Sequence, residues 1–370
     1  MASDEDAPIR RSIEVEYWVI DDAGRLVEPG DLVAASPGAE REFVEPLLEV
    51  KTTPCATTAE VRAELFERLR SVLDRAEERD LGLVPLSTPV HDGEIAELAS
   101  DRTRIQNEVV GDDFAYVRHC AGTHVHVEQQ PGRVVDQVNT LIALDPALAL
   151  ANSSPYFGDR RLAAGARSKL YRRLAYDGLA HQGRLWPYIE DTDEWHQRLE
   201  RRYDEFVAAA VDVGLDRERV EAEFDPESAV WTPVQIREEF GTVEWRSPDA
   251  TLPGQIVRRA DDIAGVVERL RGADVTVGGD TGRVGRDEIV LPEFETVTRY
   301  VDTAIDQGLA APAVRGYLER MGFDVAAYDP VTASIDAGDR ITPDEARRLR
   351  LDHADRLRRA VTHSQSVSAE

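Results

Sequence analysis

Alternation with a period of two is the feature of this chain that most restricts how it can fold. The segment RSIEVEYWVI, residues 11–20, puts Ile13, Val15, Tyr17 and Val19 on one face of a strand and Glu14, Glu16, Trp18 and Ile20 on the other. Three further apolar segments carry polar groups in a similar way: Glu42 and Glu49 in EFVEPLLEVKT, His124 and His126 in GTHVHV, and Glu244 with Arg246 in GTVEWRS. In three of the four the spacing is i, i+2, which on a strand means the same face and about 7 Å between neighbours.

Taken singly, each pair fits a solvated strand face or a surface ion pair of little energetic value. Taken together, four strands would send carboxylates and imidazoles to one sheet surface. Such a set is tolerable in a cleft only if cations neutralise it. The apolar face of residues 11–20 then points to the core, and Glu14 and Glu16 face a cavity. Oxygen donors with one or two imidazoles suit Mg²⁺ or Mn²⁺; structural zinc would call for thiolates. Mg²⁺ usually meets substrate phosphates, which points to nucleotide chemistry. There is no GxxxxGK[ST] loop and no glycine-rich kinase loop, so a nucleotide would be held by metals and arginines on the sheet.

The rest of the pattern supplies helices. TTAEVRAELFERLRSVLDRAEERDLG opens with a Thr57/Glu60 capping box, repeats Val61, Leu65, Leu69, Val72 and Leu73 at helical spacing, and is expected to end at Gly82. Residues 134–151 have helical periodicity broken near Pro146, NSSPYFGDRR is expected to be a loop, and a polar helix is expected from about residue 191. The last hundred residues look mainly helical apart from a glycine-rich loop or hairpin in GADVTVGGDTGRVGRDE. The Asp- and Gly-rich turn in IDAGDRITPDEARR lacks EF-hand spacing and reads as helix capping. No repeat or low-complexity linker interrupts the chain, so residues 1–370 are expected to form one compact α+β unit.

Charge and cysteine content narrow the function further. The net charge of −27 opposes nucleic acid or an anionic membrane as partner. No apolar run of about 18 residues occurs, and MASDEDAPIRRS lacks the basic and apolar regions of a signal peptide; a cytoplasmic protein is the expectation. Cys55 and Cys120 are too few for a disulfide framework and read as small buried apolar residues. Of the 44 cationic residues only Lys51 and Lys169 are lysines. An acidic, lysine-poor chain fits a salt-loving organism, because the Debye length falls to about 3 Å at 1 M salt. Such a fold should loosen in dilute buffer.

Five motifs in order, IEVEY, EFVEPLLEVKTTPC, CAGTHVHV, ANSSPYFGDR and FGTVEWRSPDA, resemble the glutamate-cysteine ligase type 2 and carboxylate-amine ligase family, related to glutamine synthetase, and the acidic composition is similar to that of its haloarchaeal members. The resemblance covers residues 11–270. It implies a glutamine synthetase-like catalytic fold: a curved, mainly antiparallel sheet, helices on its outer face, and a helical C-terminal part at residues 271–370.

The resemblance also implies roles. Glu16, Glu42 and Glu49 would hold one Mg²⁺, and Glu14, His124 and Glu244 a second that bridges ATP phosphates, with two or three ions in all and Mn²⁺ able to replace them. His126 would lie near the phosphates, Arg246 on the transferred γ-phosphoryl group, and Asn152, Ser153 and Arg167 at substrate. Gln235 stands where the family often has arginine, with Arg237 as its substitute. The implied reaction joins the γ-carboxylate of L-glutamate to the amine of L-cysteine through a γ-glutamyl phosphate. Alternatives are a ligase using another amine, or phosphoryl transfer to a guanidinium.

Overall fold

The computed structural model describes residues 7–91, 95–335 and 338–363. Its centre is a seven-stranded antiparallel sheet: β1 (Arg11–Asp21), β2 (Ala39–Arg41), β3 (Leu47–Lys51), β4 (Leu81–Val84), β5 (Thr123–Glu128), β6 (Val234–Arg237) and β7 (Thr242–Trp245). The order across the sheet is β2-β3-β1-β5-β7-β6. β1 pairs with β3 along one edge. Its other edge is shared, by β5 over Arg11–Val15 and by β4 over Trp18–Asp21.

Pleat alternation separates the two faces of this sheet. Ile13, Val15, Tyr17 and Val19 are buried completely against the helices Thr58–Glu77 and Pro253–Arg269, while Val134–Leu144 packs behind β6 and β7. Each such aliphatic side chain withdrawn from water contributes about 1.5–3 kcal/mol. The opposite face of β1 is open at Glu14 and Glu16 and closes at Trp18 and Ile20, which are also buried.

The helix Thr58–Glu77 begins with the expected capping box, the Thr57 side chain accepting from the Glu60 N–H while Glu60 reaches back to the Thr57 N–H. It does not extend to Gly82. Glu78 caps it, Asp80 takes a left-handed conformation with φ of 55°, and Gly82 lies inside β4 opposite Ile20. The helix Val134–Leu144 passes into a 3-10 turn, Asp145–Leu150, at Pro146. NSSPYFGDRR is not wholly loop, because Tyr156–Phe157 pairs with Arg160–Arg161 around Gly158 and Asp159, both at positive φ.

The last third is mainly helical, with Phe294–Gln307, Pro312–Arg320 and Pro343–His363 its main elements. Its glycine-rich segment forms a three-stranded sheet, Asp274–Val277 parallel to Glu288–Leu291 and the latter antiparallel to Arg283–Val284. The Pro343–His363 helix is entered through a Thr342/Glu345 capping exchange, as the sequence suggests; residues 336 and 337 of the turn before it lie outside the described residues. This helix packs on β4 and on Thr58–Glu77. Among the described residues no helix is long and apolar enough to cross a membrane.

Candidate metal and phosphate site

Strand register assembles the open face. Glu16 lies opposite Glu49 of β3, and Glu14 has Lys51 of β3 on one side and His124 of β5 on the other. His126 lies opposite Glu244 of β7. Glu42 joins from the loop just after β2, so it is not a strand residue as its sequence context suggests. These side chains line one cavity together with Arg246, Arg237 and Arg167.

The distances are short enough for shared ligation. His124 Nδ1 is 3.4 Å from Glu14 Oε2 and 3.2 Å from Glu244 Oε1. His126 Nε2 is 3.8 Å from Glu14 Oε1 and 3.6 Å from Glu244 Oε1, while its Nδ1 meets the Thr242 hydroxyl at 3.0 Å. Three overlapping trios have donor atoms within 4.8 Å of one another: Glu16, Glu42 and Glu49; Glu14, Glu49 and His124; Glu14, His126 and Glu244.

Electrostatics divide the acids into two groups. Burial pushes the Glu244 carboxyl up, but Arg246, whose Nη1 donates at 2.8 Å, and the two imidazoles outweigh that and bring it down to about 2. Burial also opposes the Glu14 carboxylate, and hydrogen bonds from His124 and His126 pull it below the usual range. Glu49, only 3% exposed, is pushed up to about 8 by burial and then by Glu14 and Glu16. Glu42 is raised well above its ordinary value by burial, Glu49 and Glu16. Carboxylates that repel each other in a part-buried pocket fit cations from outside. The donor set, rich in oxygen with two imidazoles and no thiolate, fits hard divalent ions.

The far wall of the cavity is apolar and aromatic, with Val117, Tyr171 and Trp231; Trp231 stacks on Phe114 at 5.9 Å. Cys120 belongs to this wall and Cys55 to the interior near Arg11. Both are buried thiols without a disulfide, and burial raises both. Neither is placed to act as a thiolate.

Three expected substrate residues are placed unequally. Arg167 reaches the cavity, but its Nη1 donates to the carbonyls of Arg246, Ser247 and Pro248. It approaches Gly122 so closely that a Cβ there would lie 2.3 Å from Arg167 Nη2. Asn152 and Ser153 do not reach the cavity. Both are in the packed interior, where Asn152 Nδ2 donates to the Ala304 carbonyl, the Ser153 N–H to Asp249, and the Ser87 N–H to Ser153 Oγ. Gln235 is likewise buried, donating to the Glu227 carbonyl, and Arg237 is engaged by Glu227 and Glu244.

Sequence reasoning missed Lys51, Arg172, Tyr171 and Trp231, all of which line the cavity. Lys51 carried a signal, since it follows Glu49 at i, i+2 and is one of two lysines. Arg172 had none, because its place follows from a long-range pairing with Asp145.

A profile of the glutamate-cysteine ligase family 2 matches residues 12–271, the stretch that holds every residue of the three trios. The chain belongs to the glutamate-cysteine ligase family 2. Within it, the glutamate–cysteine ligase of Haloferax volcanii is 25% identical over 346 residues, covering 88% of each chain. A Frankia alni protein provisionally named glutamate–cysteine ligase 2-1 is 29% identical over 216 residues, 57% of this chain and 50% of that one. The chain thus spans half the length of that relative. Among solved structures, a bifunctional glutathione synthetase from Pasteurella multocida superposes with a TM-score of 0.56 at 14% identity, covering 94% of this chain and 52% of that one. That likeness is of fold, and the glutamine synthetase-like α+β architecture expected from the motifs is the one found.

Proposed function

We propose that the cleft joins the γ-carboxylate of L-glutamate to the amine of L-cysteine with hydrolysis of ATP to ADP and phosphate. The observation that carries this reading is the convergence of Glu14, Glu16, Glu42, Glu49, His124, His126 and Glu244 on one cavity wall that also holds Arg246. Glu16, Glu42 and Glu49 would hold one Mg²⁺, and Glu14 with Glu244 and the imidazoles another. Bound there, the ions would neutralise phosphate charge and orient the nucleotide.

The chain's own residues account for the remaining steps. Arg246 is kept cationic by Glu244 against the cost of burial, and its guanidinium is placed to absorb charge on the transferred phosphoryl group. A γ-carboxylate oxygen of glutamate attacks the γ-phosphorus of ATP and ADP leaves, giving an acyl phosphate. The amine nitrogen attacks that carbonyl carbon, phosphate leaves, and the nitrogen loses a proton. No protein nucleophile is required, in keeping with two buried, protonated cysteines. The aromatic wall of Tyr171 and Trp231 excludes water from an intermediate that water would hydrolyse.

A second reading, with another amine in place of cysteine, draws on one observation: Gln235 is buried, and Arg237 is occupied by two carboxylates. That strand therefore offers no unpaired guanidinium to an amino-acid carboxylate. Mass spectrometry of products from glutamate, Mg-ATP and either cysteine or other amines, in molar salt, tests both readings. γ-Glutamylcysteine is the expected product; ATP turnover with no amide would overturn the ligase reading, and an amide formed only with another amine would replace cysteine.

A further inference from the structure

The middle trio differs from the other two because one lysine ammonium lies against two of its carboxylates at once. Lys51 Nζ is 2.8 Å from Glu49 Oε2, 3.1 Å from Glu40 Oε2 and 3.8 Å from Glu14 Oε1. Glu14 and Glu49 are two of the three groups that, with His124, would otherwise surround an ion. Lys51 is held in place by the sheet, lying directly opposite Glu14 in the β1–β3 ladder.

Residue type supports the same conclusion. This chain uses arginine for nearly all its positive charge, and its other lysine, Lys169, makes a surface contact with Asp306 at 3.0 Å. An arginine fork suits two oxygens presented in one plane. Three carboxylates around a point suit a compact ammonium with three rotatable donors. Neither outer trio has an ammonium between two of its members: in one Lys51 meets Glu49 alone, and in the other the Arg246 and Arg237 guanidiniums meet Glu244 alone.

We propose that Lys51 stands in for a divalent ion at the seat between Glu14 and Glu49, so that the cleft takes two divalent ions instead of three. The proposal rests on the metal-dependent reading above and fixes the number of ions that reading leaves open. The ammonium also ties β3 to β1 before any ion arrives, which keeps Glu49 aimed at the cavity.

The test counts ions on the full chain without nucleotide. Mn²⁺ is titrated in molar KCl, and the unbound ion is read by electron paramagnetic resonance, for the wild type, Lys51→Met, Lys51→Gln and Lys169→Met. The expected counts are two for the wild type and Lys169→Met, and three for both Lys51 variants. Two variants at position 51 guard against one that fails to fold. A wild-type count of three or of none would overturn the proposal, as would tighter binding at an unchanged count in the Lys51 variants. Counts of two and three in a protein that forms no amide would sink the ligase reading and leave Lys51 in its role; amide formation with unchanged counts would do the reverse.

Discussion

Two groups of charges, one centred behind the cleft lining and one within it, are built on opposite rules. Asp145 is completely buried, receives Arg172 through two nitrogens at 2.5 and 3.2 Å, and accepts from the Trp245 indole N–H at 3.0 Å and from the Ser247 hydroxyl. Arg172 in turn donates to Ser247 at 2.6 Å. Glu16, Glu42 and Glu49 crowd together, and burial first, then their mutual repulsion, raises Glu42 and Glu49 above the carboxylate range. The first group is complete within the chain. The second, on the reading proposed above, is completed by ions from solution, and that difference would separate a structural charge from one kept for chemistry.

The sharpest way to break this contrast is Asp145→Ala, which leaves Arg172 buried without its carboxylate. The expected cost is about 3–5 kcal/mol, read as a lower denaturation midpoint in molar salt; an unchanged midpoint would mean that the two groups are not different in kind. Glu244→Gln probes the other side. Turnover should fall by about 10²-fold or more through a lost metal ligand; the midpoint should fall as well, because Arg246 loses its buried partner, and full activity would remove Glu244 from the site.

A third buried group tests what burial does to an imidazole whose Nδ1 has no hydrogen-bond partner among the described residues. His353, on the Pro343–His363 helix, is held neutral, its pKa brought down to about 4 by burial and then by Arg356. Its folded value lies below the unfolded value of about 6.5, so the unfolded chain binds the proton first and stability is lost as pH falls from about 6.5 toward 4. The loss should reach about 2 kcal/mol by pH 5, and His353→Leu should flatten that part of the acid limb. The smallest effect has the opposite sign. Glu42→Gln in metal-free protein relieves the burial cost and repulsion at that carboxyl and should raise stability by about 1 kcal/mol, a gain that saturating Mg²⁺ should erase; a less stable variant would show that the cluster is not strained.

Period-two alternation made the site legible where strands carry it. Glu14, Glu16, His124, His126 and Glu244 needed only their spacing to be assigned to one face, and the Thr57 cap needed only its Glu60 partner. The sequence was silent where placement depends on which strands become neighbours. Asn152 and Ser153 sit in a motif that suggests substrate contact, yet their polar atoms go to Ala304, Ser87 and Asp249, up to 152 residues away. Gly82 resembled a helix stop because glycine often is one, and pairing with Ile20 of β1 drew it into the sheet instead. The glycine-rich segment near residue 280 holds the hairpin that its glycines allowed, Arg283–Val284 against Glu288–Leu291, and adds Asp274–Val277 as a parallel neighbour.

Glu14 and Glu16 belong to different outer trios but to one strand, two residues apart. The Cα atoms that carry the two carboxylates are therefore one repeat of an extended backbone apart, about 7 Å, a length that no side-chain substitution stretches. On the reading proposed above, walls and loops could be reshaped to change the substrate while that spacing stays fixed like the marks of a ruler.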